Sequence, residues 1–241
     1  MSDEYGALAR MIDHALLAPN LDRAALESGI ELARAYQVGS VCIVPHYLAR
    51  AREALAGSGV RASTTAGFPH GGQATSVKVS EAERALADGV EELDMVVNVS
   101  RVLSEDWDYV KRELSAVIEV AHGGGARVKV IFENCYLATQ HKLRLCALSA
   151  ELGADWVKTS TGFGSSGATL EDVKLMRERS PTRVQVKAAG GVRELDDLLA
   201  FRPYITRCGT SRTAAILDEW RRRLGLAPIG RGDSAAGTSG Y

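Results

Sequence analysis

Eight short apolar runs, each followed by a helical or loop-like run, recur along most of the chain, and this alternation restricts the fold more than any other feature. The runs cover residues 11–16, 40–45, 61–68, 91–98, 127–133, 155–160, 183–188 and 204–209. Amphipathic segments at 24–37, 76–88, 106–121, 139–152 and 170–179 lie between them. Regular strand–helix alternation gives parallel strands joined by right-handed crossovers. Eight such units close into a (β/α)₈ TIM barrel of the α/β class, a single domain over residues 1–224. An open doubly wound sheet is the alternative, but no Gly-x-Gly-x-x-Gly follows the first strand. Gly39, Gly89 and Gly153 fall between a helix and the next strand, where left-handed caps are common. Thr169, with Glu171 and Asp172 after it, reads as an N-cap.

Composition narrows the classes. A chain of 241 residues that is 46% hydrophobic can fill one large core, and a net charge of −1 gives no pull toward nucleic acid or an anionic membrane. No run approaches the ~18 apolar residues of a transmembrane helix, and the acidic start Met1-Ser2-Asp3-Glu4 does not read as a signal peptide. Cys42, Cys135, Cys146 and Cys208 are widely spaced, which suits free thiols in a cytoplasmic protein. His46, His70, His122 and His141 are scattered and form no metal-binding pair; His14, beside Asp13 on a strand, stands apart. Neither a metal nor a cofactor is expected. The small, polar stretch 225–241 reads as a flexible tail. Its Arg231-Gly232-Asp233 is read as a chance match to an adhesion tripeptide. The terminal Tyr241 either hangs free or dips into the pocket to assist proton transfer.

Charges inside the strands carry the functional signal. Side chains alternate across a strand, so Leu93, Met95 and Val97 share one face while Asp94 shares the other with Val96. The same alternation sets Lys129, Lys158 and Lys187 opposite their apolar neighbours. If the apolar faces meet the helices, Asp94, Lys129, Lys158 and Lys187 converge inside the barrel. A satisfied salt-bridge network is one reading. The other is a site, because Lys158 and Lys187 lie near the C-terminal strand ends where barrels place their chemistry. A lysine held dry beside a second cation loses its proton and becomes a nucleophile. On that reading Lys158 is the nucleophile, Lys187 supplies the field, and Asp94 moves protons. Lys129 and Glu133 lie beneath or beside them and set the field.

Two small-residue turns follow the seventh and eighth strands, Ala189-Gly190-Gly191 and Gly209-Thr210-Ser211. Barrels often bind phosphate there, since glycine lets backbone N–H groups approach an anion and hydroxyls add donors. Gly190, Gly191, Gly209, Thr210 and Ser211 are the candidate phosphate residues. Thr159 and Gly162, after the sixth strand, are expected against the same substrate.

Val157-Lys158-Thr159-Ser160-Thr161-Gly162-Phe163 and Val186-Lys187-Ala188-Ala189-Gly190-Gly191-Val192-Arg193 resemble the deoxyribose-phosphate aldolase family. Leu93-Asp94-Met95-Val96, Lys129-Val130-Ile131-Phe132-Glu133, Gly67-Phe68-Pro69 and Ile12-Asp13-His14 carry the same likeness, which runs from about residue 11 to 216. The resemblance implies a cofactor-independent class I aldolase that cleaves 2-deoxy-D-ribose 5-phosphate into D-glyceraldehyde 3-phosphate and acetaldehyde. It implies that Lys158 forms the Schiff base, that Asp94 and Lys187 exchange protons and that Asp13 supports the relay. In the phosphate turn, Gly209-Thr210-Ser211 continues into Arg212-Thr213 where the family usually has Ser-Gly. The stretch Asn98-Val99-Ser100-Arg101 departs from a glycine-bearing version. The alternatives are another Schiff-base aldolase, or a catalytically silent barrel that binds sugar phosphates. A homodimer is compatible with barrels of this type.

Overall fold

The computed structural model describes residues 3–232. Asp233 and the terminal Tyr241, with the role considered for it, lie outside the described residues. The elements alternate in chain order as α1 (Asp3–Ala9), β1 (Ile12–Leu16), α2 (Arg23–Tyr36), β2 (Ser40–Ile43), α3 (Leu48–Leu55), β3 (Arg61–Ala66), α4 (Thr75–Ala87), β4 (Glu92–Val96), α5 (Val99–Leu103), α6 (Trp107–Gly123) and β5 (Arg127–Ile131). They continue as α7 (Thr139–Glu151), β6 (Trp156–Lys158), α8 (Leu170–Arg179), β7 (Gln185–Ala189), α9 (Leu195–Phe201), β8 (Arg207–Thr210) and α10 (Thr213–Arg223). The eight strands are parallel and pair in sequence order, and β8 returns to β1 through His14 and Thr210 to close the barrel. All eight expected strands are present, each shorter than the apolar run that marks it or shifted by a residue or two.

Alternation along the strands makes two cores. Val41, Ile43, Leu93, Met95, Val128, Val130 and Val157 face outward and join helix residues such as Leu26, Ile30, Val117 and Leu145 in one buried apolar cluster. The inward face is largely polar, which gives this barrel a site in place of a packed hydrocarbon centre.

Local chemistry explains the joints. Asp22 caps α2 by accepting the N–H of Ala25 at 2.8 Å, and Thr169 caps α8 by accepting that of Asp172 at 3.1 Å, as its position suggests. Asn98 likewise accepts the N–H of Arg101 at 3.2 Å, so Asn98-Val99-Ser100-Arg101 starts a helix. Gly89 and Gly153 do adopt left-handed backbone at helix ends. Gly39 does not: Gln37 takes the left-handed position after α2 at φ 54°, and Gly39 is needed because a Cβ would lie 2.3 Å from the Arg10 carbonyl oxygen.

Residues 225–232, expected as the start of a mobile tail, are tied back to the barrel. Asp218 accepts the N–H groups of Ile229 and Gly230 at 2.8 and 3.1 Å, and Arg231 pairs with Glu31 at 3.0 Å. Among the described residues no helix is long and apolar enough to cross a membrane.

Candidate active site

Among the described residues, seven acidic and basic side chains meet inside the barrel, all almost entirely buried. Asp13 comes from β1, Glu92 and Asp94 from β4, Lys129 from β5, Lys158 from β6, Lys187 from β7 and Arg207 from β8. Asp94 is the hub. Its Oδ1 accepts from Lys129 at 2.8 Å, and its Oδ2 accepts from both Lys158 and Lys187, each at 2.8 Å. Lys187 also pairs with Asp13 at 2.6 Å. Beneath them Lys129 pairs with Glu92 at 2.7 Å, and Arg207 bridges Asp13 to Glu92, donating to the latter at 2.8 Å. Trp156 floors this layer: Arg207 and Lys129 lie 5.4 and 5.5 Å from its ring centroid, and its indole N–H donates to Thr206.

The convergence of Asp94, Lys129, Lys158 and Lys187 is thus as alternation requires, and Asp13 joins them. Glu92 and Arg207 are additional. Both follow from the same period of two, because Glu92 precedes Asp94 by two residues and Arg207 precedes Gly209 by two. Glu133 is not in the cluster. Its backbone is left-handed (φ 57°, ψ 63°), the strand having ended at Ile131, and its buried carboxylate accepts the backbone N–H of Thr161 at 3.1 Å and the Thr161 hydroxyl. Glu133 therefore braces the loop after β6 from the rim. Burial pushes its carboxyl above the usual range despite the bonds from Thr161.

The lysines are not equivalent. Burial lowers the basicity of Lys158, and the positive charge of Lys187 adds to that effect, while Asp94 opposes it without prevailing. Lys187 is buried too, but Asp13 and Asp94 outweigh burial and hold it above the ordinary lysine range. Lys129 is raised in the same way by Asp94, Glu92 and Asp13. Asp94 lies well below the ordinary carboxylate range, since the three ammonium groups overcome the cost of its burial. His14 points away to Thr213 at 2.9 Å, and burial drops it to about 4, so it is a neutral ring outside the cluster. Burial raises the Cys42 thiol, which stays protonated beside the lysines.

A pocket of about 440 Å³ opens over this cluster at the C-terminal ends of the strands. Asp13, Lys158 and Lys187 form its floor. Gly162 and Phe163 line one side, and Gly190, Gly191, Gly209, Thr210 and Ser211 line another, joined at the mouth by Arg193 and Arg212. Thr159 is the exception among the expected residues. The alternation that turns Lys158 inward turns Thr159 outward, and its hydroxyl bonds both the N–H and the carbonyl of Ala189, at 3.1 and 3.2 Å. It locks the loop after β6 to β7 and does not line the pocket.

Two glycines interlock these loops. A Cβ on Gly167 would lie 2.2 Å from the Gly190 carbonyl oxygen, and Gly190 itself sits at φ 79°. Gly167→Ala is therefore expected to displace the Gly190-Gly191 turn and weaken binding of whatever ligand the pocket takes by about tenfold or more, with the far-UV spectrum of the barrel retained. An unchanged KM in steady-state assays would contradict this. Gly209 also makes room: a Cβ there would come within 3.3 Å of the Lys187 side chain.

The family model for DeoC/LacD aldolases matches residues 8–202. The chain belongs to that family. It is an aldolase, a carbon–carbon lyase. A deoxyribose-phosphate aldolase of Rhodopirellula baltica is 56% identical over 239 residues, covering 99% of this chain and 98% of the relative. One of Caldanaerobacter subterraneus is 44% identical over 218 residues, covering 90% and 94%. Among solved structures, the tetrameric deoxyribose phosphate aldolase of Aeropyrum pernix superposes with a TM-score of 0.82 at 30% identity, covering 89% of this chain and 91% of that one. The aldolase QR15 gives a TM-score of 0.85 at 35% identity, covering 93% and 98%.

Proposed function

We propose that this aldolase reversibly cleaves 2-deoxy-D-ribose 5-phosphate to D-glyceraldehyde 3-phosphate and acetaldehyde through a Schiff base on Lys158. The observation that carries the reading is the contrast between two buried lysines on one carboxylate. Lys158 is depressed and opens on the pocket, while Lys187 stays charged beside it. The name shared by the relatives supports the substrate.

The neutral Lys158 amine adds to the C1 aldehyde of the open-chain sugar and forms a carbinolamine. Water leaves as protons pass through the Asp94–Lys187 pair, and an iminium remains. The C3 hydroxyl then gives up its proton to the Lys187 amine left neutral by the loss of water, the C2–C3 bond breaks, and its electrons move to the imine nitrogen. Glyceraldehyde 3-phosphate departs from the enamine. Protonation of the enamine carbon and addition of water release acetaldehyde and restore the amine. Asp94 is held too acidic to act as a strong base in the resting site, and its charge stabilises the iminium. Lys187 gives up its proton more readily once that second positive charge forms beside it. The phosphate lies toward Gly190, Gly191 and Ser211, with Arg193 and Arg212 at the mouth.

A coupled assay for released glyceraldehyde 3-phosphate tests the substrate. Cleavage of deoxyribose 5-phosphate is expected at a kcat/KM at least about 10²-fold above that for unphosphorylated deoxyribose, from the charge-assisted bonds a phosphate makes. Fructose phosphates should give no comparable release. Preference for a fructose phosphate would replace the substrate and keep the Schiff base.

A further inference from the structure

Neither Glu92 nor Arg207 lines the pocket, and the mechanism uses neither. Both are buried, and they sit one ion pair away from the reacting groups. Arg207 contacts Asp13, which pairs with Lys187, while Glu92 contacts Lys129, which pairs with Asp94.

The count of buried charges gives them a role. Among the described residues, Asp13, Glu92 and Asp94 face Lys129, Lys158, Lys187 and Arg207, three against four, and Lys158 is the cation that meets only one of the three carboxylates, the Asp94 it shares with Lys129 and Lys187, so the unmatched charge falls on it. Other groups around Lys158 do not change this balance. From β2 comes the Cys42 thiol, and from β3 the Ser63 hydroxyl, which lies 3.5 Å from Asp94. Glu133 stands at the rim on Thr161. Arg61 and Arg127 reach Glu92 from the solvent side and are 46% and 36% exposed, so their charges are screened. Arg193, Glu194 and Arg212 stand at the open mouth. An unmatched charge in a low-dielectric interior is expensive, and releasing a proton removes it.

We propose that Glu92 and Arg207 are positioning residues that set the proton affinity of the Lys158 amine from opposite sides, Arg207 favouring the neutral amine and Glu92 restraining it, by fixing the net charge of the barrel interior. The inference rests on Lys158 being the Schiff-base lysine and adds what sets its protonation. Deleting either outer charge leaves every pocket-lining residue in place and changes only the balance. Glu92→Gln leaves a surplus of positive charge and makes Lys158 easier to deprotonate. Arg207→Met leaves a surplus of negative charge and makes it harder. With an effective interior dielectric of about 20, a unit charge one contact beyond Lys129 or Asp13 moves Lys158 by about one pH unit.

The test is reductive trapping of acetaldehyde on Lys158 with cyanoborohydride, quantified by peptide mass spectrometry across the pH range in which each variant stays folded. Acetaldehyde does not titrate, so differences between variants report the amine. Glu92→Gln should shift the rise of labelling down by about one pH unit, roughly tenfold more label on the acid side. Arg207→Met should shift it up by a similar amount, Arg207→Lys should leave it near the parent, and the double variant Glu92→Gln/Arg207→Met should return it there. Shifts in the same direction, or none, would overturn the proposal. If Arg207→Met does not fold, the double variant must still lie about one unit above Glu92→Gln, and coincidence of the two would overturn it equally. Absence of label on Lys158 in the parent protein would instead refute the nucleophile assignment.

Discussion

Replacing Lys158 with alanine is expected to lower kcat by about 10⁴-fold or more while leaving the barrel folded. The rate follows from chemistry: without the amine no imine forms at that position, and Lys187, the other lysine on the pocket floor, is held protonated and is no nucleophile. The fold follows from charge. Lys158 is the cation that the buried carboxylates do not require, so its removal leaves Asp13, Glu92 and Asp94 matched by Lys129, Lys187 and Arg207. A thermal transition within a few degrees of the parent, with activity at background, is the predicted pair of results. Substantial turnover in Lys158→Ala would refute the assignment.

Lys187→Leu should fail differently. It removes a cation that Asp13 and Asp94 both use, at 2.6 and 2.8 Å, and leaves the interior one negative charge in excess. Lys158 then holds its proton to fill the gap. A rise of two to three pH units in its pKa, the range seen for strong charge coupling, lowers kcat/KM at neutral pH by about 10²–10³-fold. Because the defect is one of protonation, part of the activity should return as pH rises, which Lys158→Ala cannot do. The retained proton also limits the loss of stability to less than the ~3–5 kcal/mol expected when a buried pair is simply broken. A pH-independent loss in Lys187→Leu would mean that Lys187 acts only as a proton carrier and not through its field.

The contrast between these two variants bears on how far the sequence could be read. A period of two in 127–133, 155–160 and 183–188 was enough to turn Lys129, Lys158 and Lys187 inward, because each stands between outward-facing valines or beside one. Apolar periodicity is less informative where an element is short. Helices α1, α3, α5, α9 and α10 did not stand out among the helical runs, and α5 is only five residues long. Glu92 and Arg207 were legible in principle, two residues from Asp94 and Gly209, but a charged residue near the start of a strand looks like an exposed end until the barrel closes over it. Closure is a property of all eight strands together. Thr159 shows the opposite limit: a hydroxyl within a lysine motif suggests substrate, yet the pleat turns it to Ala189. Glu133 leaves the strand pattern because the chain turns left-handed there, a choice that depends on the Thr161 contacts and not on its own neighbours.

Borohydride reduction in the presence of acetaldehyde, followed by peptide mass spectrometry, tests the central claim most directly. The geometry of a depressed Lys158 beside a charged Lys187 predicts a single ethyl group on the peptide containing Lys158, and none on that containing Lys187. A label on Lys187 would keep the aldolase and exchange the roles of the two lysines. A folded protein that acquires no label on either would contradict Schiff-base catalysis in this barrel.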